Sequence, residues 1–416
     1  MSIYGLGLCG LAVEHVIMSE AARRAQMMSN NNFTGTTAHT FQKTFWVLYA
    51  TEKISSFHFG RSSGFVDSDI FCPIPVVPEA TIGDFNWFLH IVRIGRFLSR
   101  AYSSLFSVGV SGNSNSYYLD VISQLHVELE AWRTSLPDTG FKPGGLVRPH
   151  AVNGPLPRSL SLVVHYLYHS IFLTLSRTTL AYLPASQDSA TMQNKASSMK
   201  SILSASRCIL ELTTMIEVEP YTVTWVLAGI PITALFVLFD IVIHDPRQPD
   251  TASNLALLDM AAGHFSTIEY ASGGTVPGSL ISEFAKIARD YVNEIQQSDF
   301  RSSDLARASG TAAALGLHSL GLETQISERT GQLTSMNLGI SGASHSDGII
   351  SSAAPTDFAD FSVFAGLDQM SPNTIMGTDV MGIFSYFLPE LEPMFYQGLT
   401  QDYDLLQNGG SVNLDM

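Results

Sequence analysis

The segment that decides the fold runs from Phe41 to Pro75 and reads FQKTFWVLYATEKISSFHFGRSSGFVDSDIFCPIP. Its first part is rich in aromatic residues and holds neither glycine nor proline before Gly60, so it predicts a helix over about 41–57 that ends before this glycine. Three prolines within residues 61–78 exclude a helix in the part that follows. We therefore expect an aromatic helix, a glycine stop and an extended segment over residues 61–78, which we call the return segment.

Charged residues in the return segment indicate how it is held. Asp67 and Asp69 alternate along it, and Arg61 lies just after the glycine stop. We predict that Arg61 pairs with one of the two carboxylates and pins the segment to the helix, as a structural clasp formed by Arg61, Asp67 and Asp69. The alternative is a paired-carboxylate enzyme site, which would need one shielded and one exposed carboxyl group. The structural role is the simpler interpretation.

The charge balance limits the partners of the chain. It carries 22 Lys and Arg against 37 Asp and Glu, a net charge of -15. A protein that binds duplex DNA needs clustered Lys and Arg to displace counterions from the phosphates, whereas the densest basic cluster here is Arg23-Arg24. We expect DNA contact only indirectly or through a domain outside this sequence.

No constellation for a metal, a cofactor or catalysis stands out. The cysteines Cys9, Cys72 and Cys208 are far apart, whereas a structural zinc site needs four closely spaced ligands. His165 and His169 lie one helical turn apart, but two ligands do not make a site, and the aromatic residues around them favour a packed helix face. We predict no enzyme activity and no cofactor, with zinc only if an upstream zinc cluster exists.

Helical periodicity continues to about residue 300 and predicts an all-α fold without a useful strand pattern. Thr81 and Asp84 resemble a capping box, so we expect a helix to begin there. The apolar stretch 223–243 is nearly long enough to span a bilayer. Pro231 and Asp240 interrupt it, which favours a central buried helix. The expected helices cover about 11–28, 41–57, 81–106, a segment ending at Leu136, 159–183, 196–217, 221–243, 252–272 and 278–297.

The composition changes near Phe300. From Ser302 to Met416 the chain is rich in Ser, Gly, Ala, Thr and Asn and has no lysine. We therefore assign residues 1–300 to a helical domain and residues 301–416 to a largely disordered tail.

Acidic and aromatic residues alternate in two patches of this tail. Negative charge keeps aromatic side chains hydrated until a partner offers an apolar groove with a basic rim, on which the segment folds. The alternatives are that the patches dock back on the helical core or have no role. The candidate activation segment comprises Phe358, Phe361, Phe364, Phe384, Phe387, Leu391, Phe395, Tyr396, Tyr403, Leu405 and Leu406.

Several short blocks, in this order and spacing, carry a resemblance to a known family. They are SEAARRAQ at 19–26, FWVLY at 45–49 with Glu52-Lys53, GRSS at 60–63 with Asp67 and Asp69, PIP at 73–75, RAYSSL at 100–105, LEAWRTSLP at 129–137 and ALLDMAAGHF at 256–265. Together they resemble the fungal-specific transcription factor domain, or middle homology region, of zinc-cluster (Zn2Cys6) transcription factors.

The resemblance implies an all-helical regulatory domain in a nuclear regulator of metabolic or secondary-metabolite genes. It further implies transcription coactivators as partners, with homo- or heterodimerisation with a zinc-cluster factor, and no membrane. The zinc cluster itself is absent, because it needs six cysteines in a short segment. A truncated gene model, a short isoform and a regulator that acts through a partner all stay open. The alternative function is a modulator that does not bind DNA and dimerises with a full-length zinc-cluster factor.

Overall fold

The computed structural model describes residues 2–29, 33–144, 152, 154–184, 188–219, 222, 225–274 and 278–314. Within these ranges nine α-helices and two strands of two residues each form the regular structure, which confirms the predicted all-α fold. The helices are α1 Ser2–Ser29, α2 Gly35–His58, α3 Trp87–Ala101, α4 Asn115–Thr134, α5 Pro155–Tyr182, α6 Ser189–Leu212, α7 Ile230–His244, α8 Thr251–Ala271 and α9 Gly278–Ala314.

The chain divides into two compact units, Met1–Ala288 with Gly366–Met416, and Arg289–Ala365. In the first unit the helices pack in sequence: α2 lies against α1 and α3, α5 against α4 and α6, and α7 against α6 and α8. Of the second unit the structure describes the end of α9. This helix runs to Ala314 and so passes the boundary at residue 300 that the composition predicts.

The prediction that a helix begins at Thr81 is wrong. Residues Thr81–Ile82 (β1) and Phe85–Asn86 (β2) instead pair as an antiparallel hairpin. The turn between them holds Gly83 at φ +58°, a conformation that favours glycine and suits a tight hairpin. The helix begins only after Asn86, whose side chain accepts a hydrogen bond from the Leu89 amide as an N-cap.

The apolar stretch predicted as a central helix lies in the core. Its described part forms a π-helical turn, Trp225–Gly229, and then α7, ten of whose side chains are buried. Pro231 lies in the first turn of α7, directly after the π-helical turn.

Among the described residues one helix, α5, is long and apolar enough by length and composition to cross a membrane. Within its most apolar window 67% of the residues are buried inside the protein, which is typical of a core helix.

Candidate functional site

Two buried charged side chains of α2 anchor the return segment. Glu52 and Lys53 are only 1% and 5% exposed, although charged side chains are rarely buried without partners. After α2 the chain reverses at Gly60, which has φ +62°, and the Arg61 amide donates to the Ser56 carbonyl. This reversal brings residues 63–67 back alongside the helix. We call Glu52, Lys53, Ser63, Gly64 and Asp67 the clasp.

Glu52 holds the first part of the return segment. Its Oε2 accepts a hydrogen bond from the Ser63 hydroxyl at 2.7 Å, and its Oε1 accepts one from the Gly64 amide at 2.7 Å. The Ser56 hydroxyl donates to the same Oε1 at 3.1 Å. Three donors replace the water that the carboxylate loses on burial, so the charge is tolerated.

Lys53 holds the second part. Its Nζ donates to the Phe65 carbonyl at 3.0 Å and lies 2.8 Å from Asp67 Oδ1. The other oxygen of Asp67 accepts a hydrogen bond from the Tyr49 hydroxyl at 2.8 Å. Burial, followed by the nearby Asp67 carboxylate, raises the pKa of Tyr49, which keeps the phenol protonated as a donor.

The sequence predicts that Arg61, Asp67 and Asp69 hold the segment, and the structure places these three residues in different surroundings. Asp67 contacts α2 through Lys53 and Tyr49. The Arg61 guanidinium lies 5.8 Å from the ring centre of Phe59, and exposed Asp69 accepts a hydrogen bond from Ser68. Pairing of Arg61 with either carboxylate stays a prediction.

Sequence reasoning did not assign the holding role to Glu52 and Lys53. The available signal was an adjacent pair of opposite charges inside a helix rich in aromatic residues.

Aromatic residues surround the clasp. Phe45, Trp46 and Tyr49 are at most 1% exposed and belong to the core. The Trp46 indole donates to the Pro73 carbonyl at 3.0 Å, and the Arg96 guanidinium lies 4.9 Å from the centre of the same indole. The tryptophan therefore joins α2 to both the return segment and α3.

Helix α1 closes the other side. The Gln26 side chain donates to the Val66 carbonyl at 2.9 Å and accepts from the Val66 amide at 3.4 Å. A Cβ at Gly64 would lie 3.3 Å from that of Ala22, so the absence of a side chain permits this close approach. The clasp thus joins three successive elements and acts as a packing device.

The histidine pair is part of the core. His165 and His169 are 2% and 9% exposed on α5, with ring centres 6.4 Å apart, and His165 Nε2 contacts the Gly140 carbonyl. Burial lowers the pKa of each to about 4, so both are neutral near pH 7. Among the described residues no group of three His, Cys, Asp or Glu could hold a metal ion.

The candidate activation segment, Phe358 to Leu406, lies outside the described residues. No family model matches the chain, and no solved structure matches it.

Curated proteins do match. The chain is 24% identical over 283 residues to an ABC-transporter-regulating transcription factor of Aspergillus fumigatus, covering 62% of this chain and 31% of the relative. It is 24% identical over 280 residues to the protein of the same name from Aspergillus oryzae, with the same coverage. An uncharacterized transcriptional regulatory protein of Schizosaccharomyces pombe is 27% identical over 107 residues, which cover 23% of this chain and 14% of that protein.

The matched region spans less than a third of the length of each Aspergillus relative. All three relatives are named as regulators of transcription, and all three are fungal. The chain is therefore similar to fungal transcription factors, and this similarity supports a role in the regulation of transcription.

Proposed function

We propose that this chain is a nuclear regulator of transcription, built from a helical regulatory domain of the middle homology type and a C-terminal activation segment. The observation that carries the proposal is the similarity to named transcription factors over 62% of the chain. The all-α fold is compatible with it. In this role the clasp stabilises the regulatory domain and takes no part in chemistry, so the chain is not an enzyme.

The targets in this proposal are metabolic or secondary-metabolite genes. The names of the two Aspergillus relatives make genes for ABC transporters the first ones to examine. Loss of the chain should change the transcript level of such genes in the organism that encodes it, and RNA sequencing measures this directly.

Activation is assigned to the acidic-aromatic residues of the tail. Phe384, Phe387, Leu391 and Phe395 supply apolar anchors, while Glu390 and Glu392 keep them hydrated. A coactivator groove with a basic rim would bind such a segment through the anchors, with the charges steering the encounter.

A reporter assay tests the activation segment. Residues 350–416 fused to an unrelated DNA-binding domain should activate a reporter gene. Exchange of Phe395, Leu405 and Leu406 for Ala should remove most of that activity, because a buried anchor contributes about 2 kcal/mol, or roughly 30-fold in affinity. The matched control exchanges Thr400 and Gln401 for Ala in the same segment and should leave activity unchanged. An inert fusion, or activity that survives loss of the anchors, rejects this part of the proposal.

The charge balance favours a second candidate, a modulator that pairs with a full-length zinc-cluster factor and does not contact DNA itself. With 22 basic against 37 acidic residues and three dispersed cysteines, the chain has little of its own with which to bind DNA. Purification of the tagged chain from nuclei should then recover a zinc-cluster protein, and recovery of the chain without one counts against this candidate.

A further inference from the structure

Exposed apolar residues form a strip on the return segment beyond the clasp. Phe71 and Val76 are 76% and 81% exposed, and Ile74 is 36% exposed. Pro73 between them is also exposed, and Pro75 is half-buried. We call these five residues the proline strip. Neighbouring apolar side chains that stay exposed mark interaction sites on protein surfaces, and the chemistry of the strip indicates which kind of partner it fits.

The backbone of the strip favours a polyproline II conformation. Proline fixes its own φ at about −65° and biases the residue before it toward extended values. Residues 70–77 accordingly form neither helix nor strand. Burial follows the three-residue repeat of polyproline II, since Cys72 is buried and Pro75 half-buried while the residues beside them are exposed. One side of the segment therefore faces the core, and the other two sides face outward.

The strip is held in place from inside the protein. The Trp46 indole donates to the Pro73 carbonyl at 3.0 Å, and His39 Nε2 contacts the Val76 carbonyl at 3.0 Å. The two prolines and these two contacts leave the backbone little conformational freedom. Because the strip is already ordered, a partner that binds it loses little binding free energy to ordering.

The prolines also decide how a partner can bind. A strand that adds to an exposed edge needs backbone N–H donors along that edge, and within residues 73–75 only Ile74 has one. Pairing with a strand, whether of a second copy or of another protein, is therefore disfavoured. Grooves lined by aromatic side chains bind proline-rich segments in another way, because the aromatic rings pack against the exposed proline rings and apolar side chains.

Acidic side chains flank the strip at both ends. Asp69 precedes it by two residues and is exposed, and Glu79 follows it by three residues. The Glu79 side chain is 60% exposed and lies 2.8 Å from Lys43 Nζ, which offsets part of its charge. The whole chain carries a net charge of -15. A groove with basic residues at its rim is therefore complementary to the strip and its ends.

We propose that the proline strip binds a partner domain whose groove is lined by aromatic side chains and flanked by basic residues, the kind of groove with which SH3 and WW domains bind proline-rich segments. Phe71, Ile74 and Val76 supply the apolar contacts, and Asp69 supplies a charge for the basic rim. The interface is small, so the complex is transient. The inference goes beyond the proposed function and does not depend on it, because it uses none of the residues of the activation segment.

Binding to purified proline-binding domains tests the contact. The full chain is immobilised on a sensor surface and exposed to each purified SH3 and WW domain of the organism that encodes it, and at least one domain should bind. Phe71→Ser with Val76→Ser should weaken this binding at least about tenfold, because two apolar anchors are lost. The matched control, Val108→Ser with Val127→Ser, replaces two valines that are 86% and 69% exposed elsewhere and should bind as the wild type does.

All four side chains are exposed, so both variants should fold, and circular dichroism spectra that match the wild type check this. Binding by none of the domains, or binding that survives the loss of the anchors, overturns the proposal.

Two single substitutions separate the proline and charge contributions. Pro73→Ala keeps the carbonyl that accepts from Trp46 but removes the exposed ring, so the affinity for the bound domain should fall about fivefold. Asp69→Lys should lower the affinity by up to about fivefold at low ionic strength, and added salt should reduce the difference because it screens exposed charges. An affinity that neither substitution changes would mean that the groove does not recognise the strip as proposed.

Sedimentation of the chain alone tests a second copy as the occupant of the strip. Phe71→Ser with Val76→Ser should leave the sedimentation coefficient of the wild type unchanged across a range of protein concentrations. A lower coefficient for this variant would mean that the strip joins two copies of the chain, and the proposal of a partner domain would then be wrong.

Discussion

At the scale of single residues, the burial of Glu52 and Lys53 is the feature that most needs an explanation. A buried charge without partners is strongly destabilising, whereas one with several hydrogen bonds is tolerated. Glu52 accepts from two groups of the return segment, and Lys53 donates to its backbone and to Asp67. The two neighbours in sequence thus fix two successive parts of one loop.

Glu52→Ala should lower the free energy of unfolding by about 3 kcal/mol, because the Ser63 hydroxyl and the Gly64 amide lose a charged acceptor. Urea unfolding followed by circular dichroism measures the change. Glu128→Ala is the control: this glutamate is 47% exposed and paired with Arg100, so its loss should cost less than about 1 kcal/mol. If the two variants lose equal free energy of unfolding, the buried clasp stabilises the fold no more than an exposed ion pair does.

At the scale of elements, the crossing of α2 and α3 depends on a glycine inside a helix. A Cβ at Gly95 would lie 3.2 Å from the Ala50 Cα and 3.4 Å from the Tyr49 ring. The hydrogen atom in place of a side chain allows the two helices to approach until Tyr49 and Trp46 are enclosed.

Gly95→Ala should therefore lower the free energy of unfolding by about 1 kcal/mol, because overpacking costs about 1–3 kcal/mol and exceeds the gain in helix propensity of at most about 1 kcal/mol. Gly263→Ala on α8 is the matched control. No atom lies within 4 Å of its added Cβ, so this variant should be stabilised by up to about 1 kcal/mol. Thermal unfolding of both variants measures the difference, and a stabilised Gly95→Ala variant would contradict this account.

The start of α3 shows where local sequence signals compete. Thr81 with Asp84 predicts a helix start, but Gly83 between them favours a hairpin turn, and Asn86 supplies a later N-cap. Both signals are short-range, and the sequence does not rank them. Phe85 is buried, and its ring centre lies 4.1 Å from that of Phe141 in a stacked pair. This burial adds to the stability of the hairpin.

At the scale of the whole molecule, buried histidines link stability to pH. His90, His165 and His169 are each less than a tenth exposed. Burial lowers the pKa of each from 6.5 to about 4. Between these two values the unfolded chain binds more protons than the folded chain, so lowering the pH favours unfolding.

The free energy of unfolding should therefore be retained above pH 6.5 and fall as the pH is lowered from about 6.5 to about 4. Each histidine contributes at most about 1.4 kcal/mol per pH unit. Urea unfolding at several pH values measures the slope. His165→Gln should reduce the slope by up to that amount. A slope unaffected by this substitution would contradict the assignment.

Much of the architecture follows from local patterns. Periodic apolar residues predicted the helices, and most described helices end within a few residues of the predicted ends. The starts were predicted less well, since α1, α2 and α6 begin about two turns before the predicted residues. The position of the glycine stop at Gly60 and the burial of the apolar stretch that contains α7 were also predicted, since each depends on residues close in sequence.

The partner of a given charge depends on the tertiary structure. Along the chain, Arg61 is the basic residue nearest to Asp67 and Asp69. In the structure, Lys53 Nζ instead lies 2.8 Å from Asp67 Oδ1. This contact forms because the chain reverses at Gly60 and runs back along α2. Register along the helix, and not distance along the chain, decides which side chain meets the returning loop.

The sequence by itself thus determined the helical class, the aromatic helix with its glycine stop and the sparse positive charge, because periodicity, backbone preference and composition are local properties. Only the tertiary structure decided that Glu52 and Lys53 hold the loop, that Gly95 allows α2 and α3 to approach closely, and that Phe71, Ile74 and Val76 stay exposed. These features arise from contacts between residues distant in sequence, where burial and geometry select among many chemically equivalent partners.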